Sequence, residues 1–277
     1  MLPIVQKAIG TRYTLHREIG RGGAARVFLA EDPAGTRVAL KVLHPELQVS
    51  VTADRFLREI KLVSRIDHPL VARVLDSGEA DWLVYYVMPF IEGPTLRSHL
   101  DAVRKMSVDE TVRLGRDLLG ALGAAHRIGI MHRDVKPENV VLSAQGAVLL
   151  DFGIARAIEA AGTAQLTRSG IAVGTSHYMS PEQVQAASDI DHRSDLYSVG
   201  CLLYECLAGH APFRHPNEVV VLQMHLTESA PDLRGSRPDA PEAMVVVIER
   251  AMEKNREARW QTASDMADAL VPTAAPR

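Results

Sequence analysis

A polar stretch at residues 132–139, HRDVKPEN, contains side chains suited to proton and phosphate chemistry. Asp134 could accept a proton from a hydroxyl nucleophile, and Lys136 could neutralise a phosphoryl group in transit. An apolar segment follows and ends at a second acid, in DFG at residues 151–153. Asn139 and Asp151 carry oxygens that suit Mg²⁺, which takes few protein ligands and shares its remaining positions with phosphate and water. A surface loop is the simpler interpretation, and this stretch alone does not exclude it.

A glycine-rich turn, GRGGAARV at residues 20–27, lies between two predicted strands. Gly20, Gly22 and Gly23 would let the backbone approach a ligand closely and direct N–H groups at phosphates. No Gly-Lys-Ser or Gly-Lys-Thr follows, so the turn is not a Walker loop, and the strand after it argues against a Rossmann dinucleotide site. A plain hairpin remains the alternative interpretation.

Lys41 stands in the middle of an apolar predicted strand, VALKVL at residues 38–43. A buried ammonium group is costly unless it is paired, whereas a lysine on an exposed edge strand would need no partner. Glu59 is the partner that we expect, because it shares a predicted helix face with apolar residues and itself calls for a cation. Each of the two unusual charges therefore accounts for the other.

The predicted elements around these residues change in type along the chain. Residues 12–43 show the alternation typical of strands, and residues 71–79 and 82–90 also look like strands. Residues 54–66 show helical spacing. Helices are predicted after residue 95: an apolar stripe from Leu114 to Ala125, an apolar and therefore buried segment 195–208 stopped by Gly209, residues 242–253, and residues 262–270 capped by Thr262 or Ser264.

Composition excludes several classes of protein. A chain of 277 residues with 47% hydrophobic and 23% charged residues can bury a large core. Its net charge of −3, without a long basic block, gives no reason to expect nucleic acid as a partner. The apolar runs are too short to span a membrane, and we expect no membrane contact from this chain. Cys201 and Cys206 are expected to be buried free thiols, in keeping with the cytoplasm, rather than a disulfide or metal ligands.

The order of these motifs resembles the eukaryotic-type protein kinase family over residues 12 to about 270. The motifs that carry the resemblance are the Gly-rich turn, VALK, the helix Glu, HRDVKPEN, DFG, SPE and DLYSVG. The details GGAARV, GTSHYMSPEQ and RSDLYSVGCLLYE are most similar to bacterial Ser/Thr kinases. The resemblance implies an enzyme that transfers the γ-phosphate of ATP to Ser/Thr hydroxyls of proteins in bacterial signalling.

The resemblance implies a role for each motif residue. Lys41, paired with Glu59, would hold the α- and β-phosphates, Asp134 would orient and deprotonate the substrate hydroxyl, and Lys136 would contact the γ-phosphate. Asn139 and Asp151 would bind Mg²⁺, with Mn²⁺ as an alternative. The other residues implied to contact ATP are Gly20, Arg21, Gly22, Gly23, Ala24 and Ala25 in the turn, Val27, Ala39 and Val141 around adenine, the gatekeeper Met88, and Pro89, Phe90 and Ile91 in the hinge.

Structural and regulatory residues also follow from the resemblance. Glu182 should pair with Arg259, Asp195 should accept backbone N–H groups of the catalytic loop, and His132 should stack with Phe152 of the motif that Gly153 completes. Arg133 would bind a phosphate on the loop 154–180, ordering it. The candidate phosphorylation sites are Thr167, which we expect to be dominant, Ser169 and Thr175. A Ser/Thr-rich loop that is merely solvated is the alternative.

The implied fold is α+β with two lobes, a small antiparallel β-sheet lobe with one key helix and a larger, mainly helical lobe. The expected divisions are an N-terminal extension 1–11, an N-lobe 12–88, a hinge 89–95, a C-lobe 96–270 and a tail 271–277 that looks disordered. The resemblance further suggests a homodimer through the N-lobe and a cytoplasmic location, either alone or as the cytosolic domain of a membrane-anchored receptor kinase.

Two other functions share this fold. A pseudokinase would normally lack one of Lys41, Asp134, Asn139 and Asp151, and all four are present. A small-molecule phosphotransferase would usually lack the SPE segment and the DLYSVG helix that follows it. The chain departs from the family pattern at Ala25, in place of the third glycine, and at Pro89, where many relatives have Glu.

Overall fold

The computed structural model describes residues 1–22, 25–43, 53–81, 83–152 and 176–271. These residues divide into two compact units. The N-terminal unit comprises the described parts of Met1–Asp67 and Ala72–Ile91. The C-terminal unit comprises His68–Val71, Glu92–Phe152 and the described part of Gly174–Arg277. The predicted tail lies outside the described residues from 272 onward.

The N-terminal unit is built on a five-stranded antiparallel sheet with the strand order β1-β2-β3-β5-β4. Its strands are β1 (Thr14–Arg21), β2 (Ala25–Glu31), β3 (Arg37–Leu43), β4 (Asp76–Ala80) and β5 (Leu83–Pro89). Side chains alternate between the two faces of each strand. The central strands β3 and β5 are buried at nearly every position, because both faces of the sheet are covered.

Helix α1 (Leu2–Ile9) packs on one face of this sheet. Its buried Val5 and Ile9 join a core that includes Phe28, Leu40 and Tyr85. Gln6 fastens the helix to β1, since its side-chain oxygen accepts from the N–H of Leu15 at 2.7 Å. This segment was expected only as an N-terminal extension, without a helix.

Helix α2 (Ala53–Val63) belongs to the same unit and agrees with the helix predicted over 54–66. Its apolar residues Phe56, Ile60 and Val63 are buried. The Phe56 ring lies 6.3 Å from the ring of Tyr86 on β5, centroid to centroid. Tyr86 alternates with Tyr85 along β5, so α2 lies on the sheet face opposite to α1.

The prediction of a strand over residues 71–79 was partly wrong. The strand begins only at Asp76, and Val71 makes an isolated parallel bridge with Leu149 instead. The N–H of Val71 donates to the carbonyl of His68 at 3.1 Å. Residues 71–74 therefore form an irregular segment rather than part of the β-sheet.

The C-terminal unit is mainly helical. Its helices are α3 (Leu96–Val103), α4 (Val108–His126), α5 (Pro181–Val184), α6 (Arg193–Ala208), α7 (Glu218–Thr227), α8 (Glu242–Ala251) and α9 (Ala263–Ala269), and its hairpin consists of β6 (Val140–Ser143) and β7 (Gly146–Leu149). An N-terminal antiparallel sheet followed by a helical unit confirms the predicted α+β fold.

Helix α6 forms the centre of this unit, as its apolar sequence predicts. Residues 194–208 are all buried, and the helix ends at Gly209, which has the left-handed φ of 80°. Cys201 and Cys206 are free and buried on it, and burial raises the pKa of both thiols. The predicted cap of α9 is also confirmed, because Thr262 Oγ1 accepts from the N–H of Asp265 at 3.1 Å.

No helix in the described ranges combines the length and the apolar character that a membrane span requires.

Candidate active site

The face of the sheet opposite α1 gathers several predicted ATP-binding side chains. Directly paired residues of antiparallel strands share a face, and Lys41 pairs with Val27 on one side and Tyr86 on the other. Ala39, two residues before Lys41, pairs with Met88. Val27, Ala39, Lys41 and Met88 therefore lie on one face, the face that α2 covers.

Lys41 and Glu59 are both half-buried in this unit. The Lys41 ammonium lies 5.9 Å from the centroid of the Tyr86 ring, and Phe56 of α2 packs against the same ring. Glu59 lies one turn after Phe56 on α2, so the helix brings its carboxylate to the side of the sheet that carries Lys41.

The glycine-rich turn and the segment after β5 also belong to the N-terminal unit. Within the turn, the N–H of Gly22 donates to the carbonyl of Ala25 at 2.9 Å, and Gly20 pairs with Val27. Gly23 and Ala24 lie outside the described residues. Beyond Pro89, the N–H of Phe90 donates to the carbonyl of Arg37 at 3.4 Å, and Ile91 is the last residue of the unit.

Asp195 of α6 holds the polar loop 132–139 by hydrogen bonds to its main chain. The Asp195 carboxylate accepts from the N–H of His132 at 2.9 Å and from the N–H of Arg133 at 2.8 Å. His126 Nε2 lies 2.8 Å from the same carboxylate. Burial alone would raise the pKa of Asp195, but the hydrogen bond and charge of His126 outweigh it and the pKa is lowered. The carboxylate is thus held ionised in the core as an acceptor for the loop.

His132 is fully buried and connects the loop to the DFG segment. Its Nε2 lies 2.7 Å from the carbonyl of Leu150, so this nitrogen carries the proton and donates. Its Nδ1 then accepts the N–H of Asp134 at 3.1 Å. The imidazole ring also lies 4.7 Å from the ring of Phe152, centroid to centroid. Gly153, which completes the motif, lies outside the described residues.

Lys136 and Asn139 both bind one carboxylate oxygen of Asp134. Asp134 Oδ2 lies 2.8 Å from the Lys136 ammonium and accepts from Asn139 Nδ2 at 2.9 Å. The same Nδ2 donates to the main-chain carbonyl of Asp134 at 2.8 Å. The other oxygen of Asp134, Oδ1, is buried and has no hydrogen-bond partner among the described residues. A buried carboxylate oxygen without a partner is costly unless a ligand meets it.

The hairpin β6–β7 brings Asn139 and Asp151 together. Val140 pairs with Leu149, and the ladder continues where the N–H of Leu150 donates to the carbonyl of Asn139 at 2.8 Å. Asn139 and Asp151 therefore stand at neighbouring ends of one hairpin. Asp151 and Arg133 both have left-handed φ angles, of 62° and 67°. Residues other than glycine adopt such angles rarely, and strained backbone of this kind clusters at functional sites.

Val141, the residue predicted beneath adenine, is buried on β6 and forms an isolated bridge with Thr95. The chain between Glu92 and Thr95 passes very close to this strand. A Cβ atom on Gly93 would stand 2.1 Å from the carbonyl oxygen of Leu142, and its φ is 140°. Only glycine fits at this position.

Glu182 and Arg259 form a buried ion pair with two parallel hydrogen bonds. Arg259 Nη1 and Nη2 donate to the two Glu182 oxygens at 2.7 and 2.8 Å, and the arginine is 0% exposed. Ser194 also donates to Glu182. The guanidinium group donates to main-chain carbonyls as well, including that of Glu253 at 2.7 Å.

Several side chains that support the polar loop 132–139 were not predicted from the sequence. Gln183 Nε2 donates to the carbonyl of Arg133 at 2.8 Å, so the residue after Glu182 fastens α5 to the polar loop 132–139. Arg97, which is partly exposed, donates to Glu138 and to the buried side chains of Tyr178 and Glu205. One signal was available, because Glu205 interrupts the apolar helix α6 in the way that Asp195 does.

The structure thus forms two groups of predicted site residues, each within its own unit. The group around Lys41 lies in the N-terminal unit, and the group around Asp134 lies in the C-terminal unit. The phosphorylation candidates Thr167, Ser169 and Thr175 lie outside the described residues. In the described parts of the chain, no cluster of three or more His, Cys, Asp or Glu side chains could hold a metal ion.

Comparisons with known proteins identify the family. Residues 13–270 match the protein kinase domain family. Similar curated proteins include the probable serine/threonine-protein kinase PknB of Bifidobacterium longum, 38% identical over 92% of this chain and 39% of that protein. Another is the serine/threonine-protein kinase PknB of Mycobacterium tuberculosis, 38% identical over 95% of this chain and 43% of that protein.

A third relative is the serine/threonine-protein kinase pkn2 of Myxococcus xanthus, 39% identical over 94% of this chain and 32% of that protein. The chain therefore spans well under half the length of these relatives. The match itself covers nearly all of the chain and includes every motif described above. The chain belongs to the protein kinase family.

Proposed function

We propose that the chain is a serine/threonine protein kinase that transfers the γ-phosphate of ATP to hydroxyl groups of proteins. The observation that carries the proposal is the arrangement around Asp134. One carboxylate oxygen is held by Lys136 and Asn139, while the other is buried without a partner among the described residues. A substrate hydroxyl at Oδ1 would satisfy that oxygen and donate its proton to it.

ATP is the proposed phosphate donor. The side chains of Val27, Ala39 and Met88, on the α2 face of the sheet, would contact adenine, and Lys41 would bind the α- and β-phosphates. The glycine-rich turn would cover the phosphates with its N–H groups. Asp134 would act as the base, and Lys136 would neutralise the γ-phosphoryl group.

Asn139 and Asp151 fit a hard divalent cation, for which we propose Mg²⁺, with Mn²⁺ as an alternative. The Nδ2 group of Asn139 donates to two oxygens of Asp134, and its Oδ1 takes part in neither bond. This amide oxygen and the Asp151 carboxylate, at neighbouring hairpin ends, are the two hard ligands that such an ion needs when phosphate and water complete its shell. When bound, the ion neutralises charge on the phosphates.

Selectivity for Ser and Thr is supported by sequence likeness. Lys136 within HRDVK and Thr175 within GTSHYMSPE resemble the Ser/Thr branch of the family rather than the Tyr branch. The relatives named above are described as serine/threonine-protein kinases. The physiological protein substrate would bind at the segment that includes α5, which the Glu182–Arg259 pair fastens to the core.

Transfer of radioactive label from the γ-phosphate of ATP tests the proposal. With Mg²⁺ we expect label on Ser and Thr of the chain itself or of an added acceptor protein, and removal of divalent ions by a chelator should reduce it to background. Readdition of Mg²⁺ should restore it. If the chain binds Mg²⁺·ATP, shown by calorimetry, yet labels nothing, the chain is a nucleotide-binding module and the proposal is wrong.

Activation by autophosphorylation of the loop 154–180 is a further part of the proposal, with Thr167 as the dominant site. Arg133 supplies a cation next to Asp134, and a phosphate with nearly two negative charges could order the loop against it. We expect peptide mapping after incubation with Mg²⁺·ATP to place most of the phosphate on Thr167. Phosphate found only at other positions would remove Thr167 from this role.

We also propose a dimer through the N-terminal unit and a cytoplasmic location, either alone or as the cytosolic domain of a membrane-anchored receptor kinase. The dimer is supported by exposed apolar side chains on α1, where Ile4 is 54% exposed. The buried free thiols agree with a reducing compartment. Sedimentation over a range of concentrations tests the dimer, and fractionation of the source cells tests the location.

A further inference from the structure

The guanidinium group of Arg97, on α3, lies at the centre of a polar cluster that the transfer chemistry does not use. Arg97 Nη1 donates to Glu205 Oε1 at 2.8 Å, and Nη2 donates to the Tyr178 hydroxyl at 2.6 Å. Its Nε donates to Glu138 Oε1 at 2.8 Å. One planar guanidinium group therefore connects three separate segments of the C-terminal unit.

Two of these partners are buried. The Glu205 side chain is 8% exposed, and Tyr178 is 4% exposed. The Tyr178 hydroxyl donates to Glu205, and burial raises the pKa of this phenol above its ordinary value. The carbonyl of Tyr178 accepts from Ser198 Oγ at 2.7 Å. Helix α6 thus holds Tyr178 by both its side chain and its main chain.

The segments that Arg97 connects are the ones that must be aligned for transfer to a protein. Tyr178 precedes the Glu182 clamp by four residues, in the segment that we propose docks the substrate. Glu138 adjoins Asn139, whose amide group orients Asp134. Arg97 contacts both segments, and its fork of donors fixes their separation.

We propose that Arg97 is a positioning residue that sets the substrate-docking segment at Tyr178 in register with the catalytic loop at Glu138. The inference rests on the proposed kinase function. A lysine cannot replace this arginine, because one ammonium group lacks the planar fork that serves a carboxylate, a phenol and a second carboxylate at once. The expected defect is therefore in the use of the protein substrate rather than in the use of ATP.

Steady-state kinetics with a synthetic acceptor peptide, selected on the wild-type chain from a degenerate Ser/Thr library, tests this role. We expect Arg97→Lys to raise the KM for the peptide about tenfold, because a docking segment that is no longer preorganised binds the peptide more weakly. The KM for ATP should change less than about twofold. Arg234→Ala, which removes a more exposed arginine paired with Glu242, is the matched control and should leave both constants at their wild-type values.

A second variant separates positioning from folding. Arg97→Gln combined with Glu205→Gln removes the half-buried cation and the buried anion together. The Glu138 carboxylate that stays is exposed to solvent, so no unpaired charge remains in the core. Its melting temperature should stay near that of the wild type, while the KM for the peptide rises as in Arg97→Lys. If the KM for the peptide is unchanged in both variants, or if both KM values rise in parallel with a lower melting temperature, the inference is wrong. Absence of any labelling by the wild type would instead overturn the proposed function and this inference with it.

Discussion

Asp134→Asn is expected to lower the rate of phosphate transfer by about 10³-fold, since a positioned general base contributes about 10²- to 10⁴-fold. The substitution keeps the shape of the side chain and removes its ability to accept a proton. The affinity for ATP should change little, because the proposed ATP contacts come from Lys41, the glycine-rich turn and the segment after β5. A lower rate of phosphate transfer with an unchanged affinity for ATP distinguishes a general base from a structural residue.

The local geometry explains why an amide cannot substitute. Asp134 Oδ2 faces two donors, Lys136 and the Asn139 amide. In the variant, the oxygen of the new amide would stay at these donors, which leaves its NH₂ group where the substrate hydroxyl should deliver a proton. The variant therefore presents a donor to a donor at the reacting position.

Single-turnover transfer of label to an acceptor peptide, together with titration calorimetry of Mg²⁺·ATP, measures both quantities. Asp268→Asn, an exposed carboxylate on α9, is the control and should behave as the wild type. Transfer within about tenfold of the wild type by Asp134→Asn would show that another group takes the proton.

Much of this site could be predicted from the sequence because its residues occupy short, regular pieces of backbone. The strand alternation around Lys41 predicts which of its neighbours share its face, and the register of β2, β3 and β5 agrees. Asn139 and Asp151 were grouped because their oxygens suit Mg²⁺, and the structure shows a hairpin that joins them. Around Lys41 the geometry follows from local periodicity, which a sequence displays directly.

The supports of the site depend on contacts between distant segments, which local patterns do not show. Arg97 and Glu205 are 108 residues apart, and nothing near Arg97 in the sequence signals its partner. Helix α1 is too short for its periodicity to be decisive, and it acquires its role only by covering an apolar sheet face. A strand was predicted over residues 71–79, but Val71 forms an isolated bridge with the distant Leu149 instead and the strand begins only at Asp76.

Buried charges in apolar helices are an informative signal, which the sequence prediction used for Asp195 through the family resemblance but not for Glu205. Asp195 and Glu205 both interrupt the apolar sequence of α6, and each proves to hold a loop of the site. A buried carboxylate must be paired or hydrogen-bonded, so its presence predicts a partner even when the sequence does not say which one. The same reasoning linked Lys41 to Glu59.

Loss of the Glu182–Arg259 pair is expected to destabilise the C-terminal unit by about 3–5 kcal/mol, as when one partner of a buried ion pair is removed. Among the described residues, Arg259→Leu leaves Glu182 with Ser194 as its one side-chain donor. Glu182→Gln leaves the buried guanidinium group without its counter-ion. In a chain of this size such a loss corresponds to a fall in melting temperature of about 10 °C. The loss should also loosen α5 from the catalytic loop, because Gln183 of that helix binds the carbonyl of Arg133.

The dependence of this effect on pH identifies the charge as its cause. Burial would raise the pKa of Glu182, but the hydrogen bonds and charge of Arg259 outweigh burial, so the pKa in the folded state is lowered. A carboxyl group of this kind contributes its full stability above its unfolded pKa and loses that contribution as the pH falls through the folded value. The difference in melting temperature between the wild type and Glu182→Gln should therefore be largest above about pH 4.5 and shrink below it.

Thermal unfolding followed by circular dichroism between about pH 2.5 and pH 8, a range that extends well below the unfolded pKa of a glutamate, measures this difference. Arg256→Ala is the matched control, because Arg256 pairs with Asp189 in the same two segments of the chain but at the surface. Surface ion pairs are screened by solvent and contribute little, so the control should unfold close to the wild type at every pH. A difference for Glu182→Gln that is small, or that does not vary with pH, would mean that packing of the surrounding side chains, rather than the ion pair, holds this segment in place.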